Sequence, residues 1–165
     1  MKPRILFFFM AVILLLTGCS SEPREGTLFY YCRDPEQYRY FEEDGVIHPE
    51  SRDLLNHRND LRYMVSLYLA GPMEEGVISP FTKATKLISA ELHDDVIYIE
   101  LSGHNTILTD SEFSLACTCL MLTCMDYMPC QAVSITSGER SLTMDAQSIL
   151  LYDDLPRQET TGGEQ

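Results

Sequence analysis

Short apolar runs along the chain alternate with polar positions in the period of β-strands. Residues 27–32 are β-branched and aromatic, and residues 38–41 indicate a second strand, followed by a turn at residues 44–45. Farther on, residues 87–92 and 96–101 each carry apolar side chains at every second position, with acidic turn residues between the two runs. This pattern predicts a β-hairpin.

Two segments carry apolar residues at helical spacing. The first begins near Asn56 or Asn59, either of which could be the N-cap, and ends at Gly71 and Pro72, which favour a helix terminus. Its apolar stripe consists of Leu61, Met64, Val65, Tyr68 and Leu69. The second helix covers residues 110–127, and the face expected to cover the sheet consists of Phe113, Ala116, Cys117, Leu120, Cys124 and Tyr127.

The strands that follow complete the predicted fold. Residues 132–137 form one strand, a turn follows at residues 137–139, and residues 142–144 form a short return strand. Residues 149–152 are expected to close the edge of the sheet. The order of elements predicts an α+β domain, a small mixed or antiparallel sheet with two helices packed on one side.

The second helix carries a further apolar stripe on its opposite side, at Leu115, Cys119 and Leu122. A helix on the outside of a two-layer domain should be polar there. Two explanations stay open. The stripe packs against the first helix, or it is a surface for a partner, including a second copy of the chain.

Composition limits the function classes. The chain has 165 residues, of which 45% are hydrophobic and 22% are charged, enough for one domain with a packed core. Its 12 basic and 25 acidic residues give a formal charge of −13. Because so acidic a surface repels phosphate groups, we expect no binding to nucleic acid and no flat attachment to anionic lipid.

The N-terminus has the pattern of an export signal with a lipid attachment site. Lys2 and Arg4 precede an unbroken apolar run over residues 5–16, which is short for a transmembrane helix. The run ends in Leu-Thr-Gly-Cys, which resembles the lipobox of bacterial lipoproteins. The resemblance implies cleavage between Gly18 and Cys19 and a lipid on Cys19. The alternative is an ordinary signal peptide with an incidental cysteine.

These features divide the chain into four parts. Residues 1–18 are a lipoprotein signal peptide, residues 19–26 an anchor and tether, residues 27–153 one domain, and residues 154–165 a polar, flexible tail. Two or more acyl chains hold a protein stably on a bilayer. We therefore expect a lipid-anchored protein on the extracytoplasmic face of the cell membrane.

Three segments of the domain resemble the GerMN domain. They read Leu-Tyr-Leu-Ala-Gly-Pro at residues 67–72, Lys-Leu-Ile-Ser-Ala at residues 86–90, and Val-Ile-Tyr-Ile-Glu-Leu-Ser at residues 96–102. The resemblance covers roughly residues 28–153. It implies a β-α-β-β-α-β domain similar to the ring-building modules of secretion and sporulation channels, and a binding role rather than catalysis. Some members of this family carry two such domains, whereas this chain has room for one.

Five cysteines besides Cys19 are available for disulfides in an exported protein: Cys32, Cys117, Cys119, Cys124 and Cys130. Helical geometry excludes a bond from Cys117 to Cys119 or to Cys124. The expected pairs are Cys124–Cys130 and Cys32–Cys117, and buried free thiols are the other interpretation. We predict no metal site, because the cysteines lack the short spacing of zinc knuckles.

Catalytic patterns do not occur in the sequence. The four histidines are scattered, and the chain lacks the Gly-x-Ser-x-Gly elbow, the phosphate loop and the dinucleotide-binding pattern. We expect neither enzymatic activity nor a cofactor.

The function indicated is that of a non-catalytic assembly, scaffold or binding subunit in sporulation or germination. Its expected partners are the membrane, through the lipid anchor, and an envelope or sporulation protein, with self-association as a further expectation. The main alternative is a regulatory envelope lipoprotein that modulates a membrane sensor kinase or a cell-wall process. An envelope enzyme is the third and weakest alternative.

Overall fold

A computed structural model describes residues 26–37, 45–54 and 56–145. These residues form seven strands, two α-helices and one 3₁₀-helix. In chain order the elements are β1 (Thr27–Arg33), β2 (Ile47–Arg52), α1 (Leu61–Leu69), β3 (Val77–Ile78), β4 (Leu87–His93), β5 (Val96–Leu101), the 3₁₀-helix (Gly103–Ile107), α2 (Asp110–Tyr127), β6 (Ala132–Ser137) and β7 (Arg140–Asp145).

The strands form two sheets rather than the single sheet that the sequence analysis expected. In the first sheet, β1 lies between β2 and β3 and pairs antiparallel with both. The second sheet has the order β4-β5-β6-β7. It is mixed, because α2 carries the chain across so that β5 and β6 run parallel, whereas the other neighbours are antiparallel. The predicted α+β class with a small mixed sheet is confirmed, and the separate three-stranded sheet is a correction.

The two helices pack against the four-stranded sheet, and α2 also packs against the three-stranded one. α1 contacts β4, whereas α2 contacts β1, β6 and β7. The buried apolar residues of both sheets and both helices belong to one cluster. α2 is therefore buried around much of its circumference, at Phe113, Ala116, Cys117, Cys119, Leu120, Met121, Thr123 and Cys124.

The helix bounds agree with the sequence pattern except at the start of α1. Its N-cap is Asp60, one residue beyond Asn59, and the Asp60 side chain accepts a hydrogen bond from the backbone N–H of Tyr63 at 2.9 Å. For α2 the predicted bounds are confirmed. Thr109 and Glu112 form a capping box, which satisfies two backbone N–H groups at the helix start.

Two strands were missed by the sequence analysis. β2 has the sequence Ile-His-Pro-Glu-Ser-Arg, and its buried positions are Glu50 and Arg52 rather than apolar residues. β3 is only two residues long and extends the sheet beside the end of β1. The strands expected at residues 38–41 and 149–152 lie outside the described residues, as does the first position of the turn at residues 44–45.

A buried ion pair fastens the segment after α1 to the three-stranded sheet. The Arg52 guanidinium donates to Glu50 and, at 2.7 Å, to the carbonyl oxygen of Gly71, and it lies over the Phe29 ring, 5.0 Å from the ring centroid. The other carboxylate oxygen of Glu50 accepts the backbone N–H of Met73 at 2.8 Å. These hydrogen bonds supply the polar partners that two buried charges require.

An aromatic stack joins the same sheet to α1. The rings of Tyr31 and Tyr68 are fully buried and nearly parallel, with centroids 4.8 Å apart. Tyr31 donates its hydroxyl hydrogen to the carbonyl of Tyr68, and Tyr68 donates to the carbonyl of Tyr30, both at 3.0 Å. Burial raises the pKa of Tyr68 well above its usual value, so this phenol stays neutral.

Candidate functional site

The outer face of the four-stranded sheet is the candidate functional site, and we call it the open face. Along β5 the side chains of Ile97, Ile99 and Leu101 are buried, whereas Tyr98 and Glu100, which point to the opposite side, are exposed. In β6 the same alternation buries Val133 and Ile135. The strand period thus gives the sheet one apolar face under the helices and one polar face toward solvent.

Strand register arranges the open face in two adjacent rows. One row runs through Glu91, Tyr98, Ser134 and Thr143, and the next runs through Ser89, Glu100, Thr136 and Ser141. Ser134 and Thr143 are hydrogen-bonded at 2.8 Å, and Thr136 and Ser141 at 3.3 Å. These cross-strand hydroxyl pairs hold the polar side chains in fixed positions.

A shallow depression of about 240 Å³ lies at the centre of the open face. Its lining consists of Ser89, Tyr98, Ile99, Glu100, Ser134 and Thr136. The Tyr98 side chain borders it and is 49% exposed, which is high for a large aromatic residue. Because tyrosine combines an apolar ring with a hydrogen-bonding hydroxyl, it is well suited to contact another molecule.

The open face carries negative charge. Glu91 and Glu100 lie on its two rows, and a carboxylate oxygen of Glu91 lies 2.9 Å from a ring nitrogen of His93 at the end of β4. Arg140 belongs to β7 but points away from this face, with its guanidinium 4.0 Å from the centroid of the Phe113 ring. A partner that binds here would therefore be neutral or basic where it meets the sheet.

One residue of the second apolar stripe of α2, Cys119, is buried against the three-stranded sheet. Its sulfur faces Cys32 of β1, and two polar residues of α2 bind the part of β1 that β3 does not pair with. The backbone N–H of Tyr30 donates to Thr123 Oγ1 at 2.9 Å, and the N–H of Leu28 donates to a carboxylate oxygen of Asp126 at 2.8 Å. The three-stranded sheet, which the sequence analysis did not anticipate, supplies this contact.

Of the three residues predicted as a partner face, Cys119 is wrongly placed there. It is fully buried, and its sulfur lies 4.0 Å from that of Cys32. Leu115 is half-buried and packs against the core, and Leu122 is also half-buried. A partner contact through Leu115 and Leu122 stays a prediction.

The five cysteines among residues 26–145 that the structure describes are thiols, and four of them are buried. The predicted pair Cys32–Cys117 is wrong, because Cys32 faces Cys119 and the two helix residues point to opposite sides of α2. Burial raises the pKa of Cys117 to about 12 and that of Cys124 beyond the usual range for a thiol. The pair Cys124–Cys130 stays a prediction.

Three further predictions concern a metal ion, a membrane-spanning helix and the lipid anchor. Among the described residues there is no group of three or more His, Cys, Asp or Glu side chains placed to hold a metal ion. No helix within this part of the chain is long and apolar enough to cross a membrane. Gly18 and Cys19, the predicted cleavage and lipidation residues, lie outside the described residues.

Sequence reasoning missed the open face as a candidate site, although its signal was present. The apolar residues of β5 and β6 were assigned to one face of the sheet, and the intervening Tyr98, Glu100, Ser134 and Thr136 are therefore on the other. The predicted packing of both helices on one side of the sheet already implied an uncovered polar side, which the described residues indeed leave open. Only the strand register shows which polar side chains lie next to each other there.

The chain is similar to one protein family and to solved structures of two other proteins. The family model Germane, described as sporulation and spore germination, matches residues 27–143. Among solved structures, a Clostridium perfringens protein provisionally described as a lipoprotein aligns over 79% of this chain and 95% of its own, with 15% identity and a TM-score of 0.47. The tandem GerMN domains of the sporulation protein GerM from Bacillus subtilis align over 74% of this chain and 43% of theirs, with 17% identity and a TM-score of 0.46. No curated protein sequence matches significantly.

Proposed function

Because the chain belongs to the Germane family of sporulation and spore germination proteins, we propose that it is a non-catalytic binding subunit of the cell envelope in one of these processes. The observation that carries the proposal is the open face, where an exposed aromatic side chain stands among fixed hydroxyl and carboxylate groups. This surface is wide and shallow, which suits contact with another protein better than enclosure of a small substrate.

The proposed location rests on the N-terminal pattern. The basic residues, the apolar run over residues 5–16 and the Leu-Thr-Gly-Cys ending agree in order and spacing with a lipoprotein signal. A lipid on Cys19 and a short tether over residues 20–26 would hold the domain close to the bilayer, since a flexible tether of this length has an r.m.s. reach of about 15 Å. The acidic domain would be repelled by anionic headgroups. Its contacts would therefore be made to a membrane-associated protein.

A site-specific crosslinker tests the proposed binding surface. The photoreactive amino acid p-benzoylphenylalanine replaces Tyr98 in one strain and Tyr63 in another. Tyr63 is the matched control, because it is also a tyrosine and is 40% exposed, but it lies on α1. We expect the Tyr98 probe to give a discrete covalent adduct in sporulating or germinating cells and the Tyr63 probe to give none.

Three crosslinking results would contradict the proposal in whole or in part. Equal adducts from both probes would indicate non-specific contact, and no adduct from Tyr98 would exclude the open face as a binding surface. An adduct that forms only in growing cells would remove the role in sporulation and germination while leaving the binding surface intact.

A further inference from the structure

Two cysteines that are far apart in the sequence meet in the core between β1 and α2. Cys32 and Cys119 are separated by 87 positions, and their sulfur atoms are 4.0 Å apart. Cys32 is 6% exposed and Cys119 is fully buried. We infer that Cys32 and Cys119 are a disulfide-forming pair, which closes into a covalent bond between the three-stranded sheet and α2 in the exported protein.

The surrounding contacts fix the two sulfur atoms against each other. One turn beyond Cys119 on α2, the Thr123 hydroxyl accepts the backbone N–H of Tyr30, two positions before Cys32 on β1. On the next turn of α2, a carboxylate oxygen of Asp126 accepts the backbone N–H of Leu28. The strand and the helix are therefore held in register along three successive turns. A disulfide has an S–S length of about 2.05 Å, so rotation of the two side chains must bring the sulfur atoms closer by about 2 Å.

Among the described residues, no other cysteine is placed as well to form a disulfide with Cys32 or Cys119. Cys117 lies about 200° around the helix from Cys119 and cannot reach Cys32 while Cys119 faces it. Cys124 and Cys130 are both on or beyond the last two turns of α2. The side-chain hydrogen bond between the two sulfur atoms lowers the pKa of Cys32, whereas this hydrogen bond and burial raise the pKa of Cys119.

The bond would form by thiol–disulfide exchange with a disulfide-bearing oxidant. The Cys32 thiolate attacks one sulfur of the oxidant, the oxidant's S–S bond breaks, and a mixed disulfide with Cys32 forms. Cys119 then loses its proton and attacks Cys32, and the oxidant leaves as its second thiol. The two cysteines are oxidised, the oxidant disulfide is reduced to two thiols, and these thiols take up the two protons. Since both sulfurs are buried, exchange takes place while the chain folds or opens locally.

The inference rests on the proposed export only for the source of the oxidant, because disulfides persist outside the reducing cytosol. The test therefore has two arms. In the first, the purified full chain in detergent is equilibrated with oxidised and reduced glutathione, and free thiols are alkylated. In the second, intact cells are acid-quenched and alkylated before lysis. Trypsin then releases Cys32 in a peptide of residues 25–33 and Cys119 in a peptide of residues 87–140.

We expect these two peptides to be joined in the wild-type chain and in the Cys117→Ala variant, and to be separate in the Cys119→Ala variant. The two variants are matched, because both remove a fully buried sulfur from α2. Fragmentation of the wild-type peptide pair locates the linked sulfur independently of the variants. Separate wild-type peptides in the glutathione arm, or a linkage through Cys117, would overturn the inference. If the two peptides are linked in the glutathione arm but not in the exported, lipid-bearing chain from cells, the disulfide does not form in the living cell, and the inference is overturned there. If the chain from cells carries no lipid, that result contradicts the proposed function and not the disulfide.

Discussion

At the scale of single residues, Glu50 does more than neutralise Arg52, because it also accepts backbone N–H groups from the segment after α1. The Glu50→Gln variant leaves the buried guanidinium without a counter-charge, and we expect it to lower the free energy of unfolding by about 3 kcal/mol. Urea unfolding measures the change. Glu36→Gln, at an exposed position, is the control. Equal shifts of the two unfolding midpoints would show that the Glu50 charge has no special role.

The same residue predicts a dependence of stability on pH. Burial raises the pKa of Glu50, but the hydrogen bonds from Arg52, Met73 and Glu74 outweigh burial, and the net pKa lies below the usual value. The stabilisation is therefore present above the pKa of an unfolded glutamate, about 4.3, and is lost as the pH falls from there through the lower pKa of the folded state. Urea unfolding at several pH values should show this loss in wild type and a smaller one in Glu50→Gln. An equal loss of stability on acidification in both proteins would contradict the assignment of this pH dependence to Glu50.

At the scale of elements, α2 is the centre of the fold, since it packs against strands of both sheets. We expect Leu120→Ala to lower the free energy of unfolding by about 3 kcal/mol, because Leu120 is fully buried and its truncation leaves a cavity. Leu122→Ala, two residues away at a half-buried position, should cost less than about 1 kcal/mol. Thermal or urea unfolding distinguishes the two variants. A larger loss for Leu122→Ala would mean that the helix faces are assigned wrongly.

The elements that could be predicted from the sequence are those with a local signal. α2 has helical spacing and a capping box, and the β4–β5 hairpin has alternating apolar positions and an acidic turn, where Asp94 and Asp95 both have positive φ. β2 could not be predicted, because its inward side chains are an ion pair that only the fold brings together. The contact of α2 with β1 was predicted through the wrong cysteine, Cys117 instead of Cys119, because it depends on residues about 90 positions apart.

At the scale of the whole molecule, a folded Germane-family domain follows a lipoprotein signal pattern. If Cys19 carries the anchor, Cys19→Ala should move the protein from the membrane fraction to the soluble fraction of the envelope and remove the mass of the lipid. Cys130→Ala, which changes a half-buried cysteine of the domain, should leave the protein in the membrane fraction. Membrane fractionation with intact-mass measurement decides this, and retention of Cys19→Ala in membranes with unchanged mass would contradict lipidation.

The central claim is that the protein acts in sporulation or germination by binding through its open face. The most direct measurement is the yield of heat-resistant spores that germinate, compared between wild type, a strain lacking the protein, and a Tyr98→Ala strain with the same protein level. Because Tyr98 is exposed, its loss should leave the fold intact. The account predicts that Tyr98→Ala lowers the yield toward that of the strain lacking the protein. A wild-type yield from Tyr98→Ala, beside a clear defect in the strain lacking the protein, would contradict it.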